Sequence, residues 1–396
     1  MNWTLLVPGA LLPPTLAPEL ARHMRAPVLS AQLALARPLP PPIAVDSATS
    51  YDTGARQSAH WQWLAQRFGM DSDELPTAPY AWRGASQPHA GAEPQGAGDA
   101  TTAGAWIAHC EPVHMAISRD HFVVTDLAAA PLRADESAEL LERANAVLAA
   151  ETSGSPQGAA PRLRITVHDG RWFLLSPGPL DLVTWSLDAV LGQSVQDRLP
   201  TGGDARRWRV LGNEIQMSWH TSRTNDARDE SGQRTANALW LHGGGVWRPL
   251  AAVTPVTLHG DDAPAETAVL RGWRNAAPPS VDSAAAPAGV DALSICRVLF
   301  SAHAHQAWES WLAQIPLLEA RIDADLAAAR SAGAARFDLV LCGGGSTRTV
   351  TLPLQPPWWR RLRSGAHAPA VLLQRWLTQA PAAARPDRAV RSVLAA

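Results

Sequence analysis

The sequence predicts a mixed α/β or α+β fold, and three observations carry that expectation. Short apolar runs closed by glycine or proline, at 3–7 (WTLLV), 237–242 and 337–342, have the length and residue types of buried strands. Segments with apolar residues every three or four positions, such as Trp61, Leu64 and Phe68, have the period of helices buried along one face. Val113, Met115 and Ile117 alternate with His114, Ala116 and Ser118, then Arg119-Asp120-His121 leads into Phe122–Asp126, the pattern of a β-hairpin. The expectation is one main body of hairpins and packed helices, with low-complexity insertions and a helical, basic C-terminal tail.

In chain order, the first strand ends at Pro8-Gly9, and a helix is expected over 16–37, stopped by Pro38 and the proline run after it. A second helix covers 57–69. Residues 84–104 hold almost no large apolar side chain and read as a linker or insertion. After the hairpin, Asp135 can cap a helix over about 136–150, followed by strands near 162–168 and 171–175 and a helix over 181–192. Residues 292–330 read as largely helical, and 337–342 and 347–354 as a second hairpin around Gly343-Gly344-Gly345. This divides the chain into an α/β segment 1–83, the linker 84–104, a central core 105–250, an irregular connection 251–290 and a C-terminal segment 291–396.

Composition narrows the chemistry. The 396 residues carry a net charge of -2, which argues against a general nucleic-acid binder. There is no lysine, so a lysine Schiff base, a Walker-A lysine and a Ser–Lys dyad are excluded. Cys110, Cys296 and Cys342 are far apart and odd in number, as expected of reduced thiols. The N-terminus lacks a basic n-region and no run of about 18 apolar residues occurs, so the expected setting is cytoplasmic.

The densest polar information lies in 206–247. On a helix, Trp208, Leu211, Ile215 and Trp219 make an apolar stripe, with Arg209, Asn213, Gln216 and His220 beside it. Asn225 and Arg228 follow in a turn, and Asn237 opens a strand that ends in His242 and is stopped by Gly243-Gly244-Gly245. These eight polar residues can bind an anionic or amide-bearing ligand, with Arg228 as a planar fork, or form a satisfied network at strand ends. His109, His114, Asp120 and His121 are competent metal ligands on the hairpin, or ordinary turn and solvent-face residues. No resident cofactor is expected outside a divalent metal for an enzyme. From Arg348 onward eight arginines face the single acid Asp387. There Trp358, Trp359, Arg360, Arg361 and Arg363 suit an acidic protein partner, anionic lipid or nucleic acid, or else a packed amphipathic helix.

Asn213-Glu214-Ile215-Gln216-Met217, Asn225, Arg228, Gly232 and Asn237-Ala238-Leu239-Trp240 resemble the signature of the RpfE-type bacterial regulatory proteins. His109–His114 with Asp120, His121 and Asp126 resembles that family's second block. The resemblance covers roughly 1–250 and implies a non-enzymatic regulatory or ligand-binding role. Some members carry the label of a cofactor-independent phosphoglycerate mutase, which implies metal-dependent phosphoryl transfer with a serine nucleophile and two metal ions held by Asp and His clusters. This chain has Ser222 where the family commonly has a turn histidine, and no Asp-Gly opening follows its first strand.

Overall fold

A computed structural model of the chain describes residues 1–36, 43–44, 56–70, 75–85, 104–118, 121–153, 162–250, 256–260, 263–276, 290–355 and 369–378. The first part runs β1 (Asn2–Pro8), α1 (Ala17–His23), α2 (Pro27–Leu35), β2 (Ile43–Ala44), α3 (Ala59–Arg67) and α4 (Thr77–Gly84). Next come β3 (Trp106–Ser118), β4 (His121–Thr125), α5 (Ala134–Ser153), β5 (Arg164–His168), β6 (Arg171–Ser176), α6 (Leu187–Val190), α7 (Ala205–His220), α8 (Arg223–Glu230) and β7 (Ala238–Val246). The last part is β8 (Val256–His259), α9 (Pro264–Ala276), β9 (Asp291–Ile295), α10 (Phe300–Ala304), α11 (Trp308–Ala313), α12 (Ile315–Ser331), β10 (Arg336–Gly343), β11 (Ser346–Leu352) and α13 (Pro369–Leu377). The fold is mixed α/β, as expected, and its strands form two sheets. Two compact units divide it: 1–72 with 254–263 and 280–396, and 73–253 with 264–279.

The first unit holds a six-stranded sheet ordered β2-β11-β10-β1-β9-β8. Strand β1 lies parallel to both β10 and β9, and β8 is parallel to β9. A parallel strand covered on both faces needs apolar residues without alternation, and Leu5, Leu6 and Val7 are all fully buried. Leu318, Ile322 and Leu326 of α12 and Leu373, Trp376 and Leu377 of α13 share one core with Trp3, Leu5 and Val7. Buried Arg348 donates from Nη1 to the carbonyls of Arg375 and Trp376, fixing a cation at the C-terminus of α13. The C-terminal segment is thus helical over 369–377, while Trp358–Arg363 lie outside the described residues.

The second unit is an antiparallel sheet ordered β4-β3-β6-β5, with β7 on the other side of β3. Trp106, Ala108 and Cys110 of β3 pack against Leu140, Ala144 and Leu148 of α5 and Trp208, Leu211, Ile215 and Trp219 of α7. By strand alternation, Ile107, His109 and Glu111 point to the opposite face. Helices α4 and α9 cross at close range. A Cβ on Gly84 would lie 1.8 Å from the Ala268 carbonyl oxygen, and one on Gly272 1.9 Å from that of Tyr80.

Several local expectations are corrected. The helix over 16–37 is two helices, because Pro27 cannot continue α1 and instead opens α2. Only Leu187–Val190 is helical within 181–192. The stretch 251–290 contains β8 and α9 rather than a wholly irregular connection. Residues 291–295 form the buried strand β9, an apolar run too short for its period to decide. Helix α5 begins at Ala134, and Glu136, not Asp135, accepts the Arg133 N–H at 2.8 Å. The linker tract 86–103 lies outside the described residues.

The two triple glycines do different work. Gly344 and Gly345, with φ of 52° and 74°, form the tight turn joining β10 to β11. Gly243–Gly245 do not stop their strand, since β7 runs on to Val246. Pairing with β3 shifts between His109 and Ile107, where β7 spends one extra residue, and Gly243 adopts φ 60° there. A Cβ on Gly243 would lie 2.2 Å from Thr77 Oγ1, and one on Gly244 2.2 Å from the Trp106 ring.

Candidate functional site

The signature block folds as a set of amide clasps. Asn225 is buried. Its Nδ2 donates to the Trp219 and Ala236 carbonyls at 3.0 and 2.8 Å, and its Oδ1 accepts from the Ala236 N–H at 3.0 Å. Asn237 does the same for Met115, accepting from its N–H at 2.7 Å and donating to its carbonyl at 2.9 Å. Asn145 of α5 clasps Ile165 on the edge strand β5 at 2.9 and 2.8 Å. In each case a carboxamide offers one donor and one acceptor, which matches the two polar groups of a single strand residue. Arg228 is 1% exposed and donates to Glu136 Oε2 at 3.0 Å, the Arg234 carbonyl at 2.8 Å and the Ala130 carbonyl at 2.5 Å. Ser222 caps α8, accepting from the Asn225 N–H at 3.1 Å, while Glu139 accepts from the N–H groups of Arg223 and Thr224.

The other half of the expected set lies elsewhere. Arg209, Asn213, Gln216 and His220 are exposed on the outer face of α7, whereas Asn225 and Arg228 are buried. The histidines of the hairpin are also separated. His109 and His114 stand five positions apart on β3 and so on opposite faces. His114 donates from Nδ1 to the Thr235 carbonyl at 2.9 Å, and His121 pairs with Ser118 at the hairpin end. Asp120 lies outside the described residues.

His109 and His242 do come together. They are cross-strand partners on β3 and β7, with ring centroids 4.8 Å apart and 27° between planes. His242 donates from Nε2 to Glu111 Oε1 at 3.1 Å. Phe173 of β6 continues the row, 5.2 Å from His109, with Trp82 of α4 edge-on to it at 5.2 Å. Burial holds His109 well below the usual histidine range, reinforced by His242 and Arg171 and opposed by Asp188. Burial also lowers Arg171, against the pull of Glu111, Asp169 and Glu266. Arg171 donates to the carbonyls of Pro264 and Ala265 at the start of α9. His242 is 12% exposed and Glu111 41% exposed, so the face opens at this end. Glu111 and Arg171 were missing from the sequence-derived set. The two-residue spacing of His109 and Glu111 within a strand already puts them on one face.

Phosphoryl-transfer chemistry on the first unit would use the ends of its parallel strands. Ligands of open parallel sheets sit outside the carboxyl ends of the strands. After β1 the chain continues through Ala10, Leu11 and Leu12, all fully buried. Trp311 Nε1 donates to the Gly9 carbonyl and His303 Nε2 to the Leu11 carbonyl, each at 2.8 Å. Among the described residues, the segments leaving β1, β9 and β10 up to the next element contain no aspartate or glutamate, and the segment leaving β8 passes outside them after Gly260. A two-metal site does not fit those three strand ends.

No family model matches the chain. No curated protein matches it either. Among solved structures, the PH0037 protein from Pyrococcus horikoshii is similar with a TM-score of 0.46 and 10% identity, covering 95% of this chain and 96% of that one. A cofactor-independent phosphoglycerate mutase from Thermoplasma acidophilum DSM 1728 gives a TM-score of 0.33 and 13% identity, over 95% and 98%. No helix among the described residues is long and apolar enough to cross a membrane.

Proposed function

We propose that the chain is a non-enzymatic, ligand-binding regulatory protein of RpfE type, and that its ligand contacts the sheet face of the second unit around Glu111, Arg171 and His242. The observation that supports this reading is the meeting of two imidazoles, a carboxylate and a guanidinium at a half-open end of the sheet. Such a lining favours binding over turnover. The groups acting on His109 and Arg171 include Glu111, Asp169, Asp188 and Glu266 against one guanidinium. That balance supports a ligand with cationic or donor character over the anionic one that the arginines of α7 suggest.

The test is a thermal-shift screen of small polar metabolites against the full chain, repeated with Glu111→Gln and His242→Gln. A ligand at a hundred times its Kd raises stability by roughly 2.7 kcal/mol. The expected result is a stabilising compound whose effect disappears in both variants. Sustained phosphatase or mutase turnover with manganese or zinc overturns the non-enzymatic reading. Salt-sensitive DNA binding that is lost with the segment carrying Trp358, Trp359, Arg360, Arg361 and Arg363 would make nucleic acid the partner instead.

A further inference from the structure

Neither the ligand site nor the amide clasps use the outer face of α7, and that face is patterned. Helix α7 buries Trp208, Leu211, Ile215 and Trp219 in the core of the second unit. At about 100° per residue, Arg206, Val210, Asn213, Met217 and His220 line the opposite side. Their spacing of four, three, four and three residues is the a/d repeat of a helix that pairs with another helix. All five are exposed, and Val210 and Met217 leave 52% and 74% of their surface in solvent.

In this repeat Val210 and Met217 hold a positions and Asn213 a d position, while Arg209 falls at g and Glu214 at the following e. Across a parallel pair of such helices, g of one stands beside the next e of the other, so Arg209 of each copy meets Glu214 of the other. An antiparallel pair would instead bring the two Glu214 carboxylates together. Among the described residues, Arg209 bonds only the Ala205 carbonyl of its own helix, and Glu214 has no hydrogen bond or ion pair.

We infer that two copies of this chain pair through α7, parallel and in register. Val210 and Met217 supply the apolar contacts, and two symmetry-related Arg209–Glu214 ion pairs flank them. Asn213 meets its own counterpart between the two apolar layers, where two carboxamides can exchange a donor and an acceptor. Every residue of the row faces itself, which is the isologous contact of a two-fold dimer. A helix of 16 residues is about 24 Å long, so the contact is smaller than a stable interface and the dimer is weak and reversible. The facing Arg206 side chains at the first turn weaken it further. The pairing is independent of the ligand site around Glu111.

The test is sedimentation equilibrium of the full chain over a concentration series at low salt, where exposed ion pairs are least screened. The mass should rise from one chain towards two. Arg209→Glu and Glu214→Arg should each weaken the pair about fivefold, and the two changes combined should restore it. Both positions are exposed, so the melting curves should not move. Orientation is read by oxidising Val210→Cys, since the three native cysteines are buried. A parallel pair links this variant into a dimer, whereas Ala146→Cys, at an exposed position of α5, stays unlinked. A chain that remains monomeric at every concentration overturns the inference, as does a dimer indifferent to both single charge changes. So does a double variant no stronger than the single ones, or a Val210→Cys variant that links no better than Ala146→Cys. Slower alkylation of dilute Val210→Cys than of Ala146→Cys would mean that a segment of the same chain covers the face, which also overturns it.

Discussion

His303 should make the first unit sensitive to acid well above the range in which carboxylates titrate. Its ring is 7% exposed, meets Trp308 edge-on with centroids 5.6 Å apart, and donates from Nε2 to the Leu11 carbonyl at 2.8 Å. Burial pushes it down from 6.5 to about 4, only partly opposed by that hydrogen bond. On lowering the pH the unfolded chain takes up the proton first. Stability is therefore complete above about 6.5, falls as the pH drops below it, and stops falling below about 4, where the native ring also protonates. The whole window corresponds to about 3 kcal/mol, of which about 2 is lost by pH 5. The assay is hydrogen exchange at the Leu5 and Leu6 amides of β1, corrected for intrinsic rates, at pH 7 and pH 5. It is repeated with His303→Gln, which can still donate to Leu11 but cannot titrate. Other groups, His109 among them, contribute to both proteins and cancel in the difference. If the variant loses as much protection as the native chain, His303 is not the group responsible and its burial has been misjudged.

Three further outcomes follow from the signature block and the helix crossing. Arg228→Ala leaves buried Glu136 with the more exposed Arg133 and strips the Arg234 and Ala130 carbonyls of their donor; it should cost about 3 kcal/mol in urea unfolding, with part of the loss recovered in Arg228→Ala/Glu136→Gln. Equal destabilisation by the single and double variants would mean that the Glu136 charge contributes nothing to the loss. Asn225→Ala leaves the buried polar groups of Ala236 without their clasp and should cost roughly 1–3 kcal/mol, whereas Arg209→Ala should stay within about 0.5, both read as midpoint shifts. Gly84→Ala should lower the melting temperature sharply, because its Cβ meets backbone of α9 rather than a side chain that can yield; an unchanged melting curve would mean that α4 and α9 are not packed this closely.

What the sequence made legible was periodicity. The apolar stripe of α7, the alternation in β3 and the apolar run of β1 all appear where their spacing places them, because one-face burial writes a period into the chain. Elements without a clear period were lost. Strand β9 has five residues, and α9 lies inside 251–290, the stretch expected to be an irregular connection. The two Gly-Gly-Gly segments show a second limit. Both follow a buried apolar strand, yet one makes a turn and the other a bulge, and the difference lies in what lies next to each. Trp106, Thr77 and Pro76 crowd the glycines of β7, and those neighbours come from distant parts of the chain.

The polar residues show the same limit more sharply. Asparagine in a motif reads equally as a ligand contact or as a backbone clasp, because the same donor–acceptor pair serves both. In Asn225 that pair is taken up by the backbone of Trp219 and Ala236, a partnership fixed by tertiary pairing. His109 and His242 illustrate the converse. They lie 133 positions apart in sequence, and only the antiparallel register of β3 on β7 makes them neighbours. Once that register is known, Glu111 joins them by alternation alone. The chemistry of this face thus depends on one strand pairing: moving β7 by a single residue would turn His242 to the side covered by α5 and α7, break its bond to Glu111 and bury an imidazole among Trp106, Cys110 and Leu241. The bulge at Gly243 lies immediately beside His242, and the glycine that permits it therefore holds the imidazole–carboxylate pair in register.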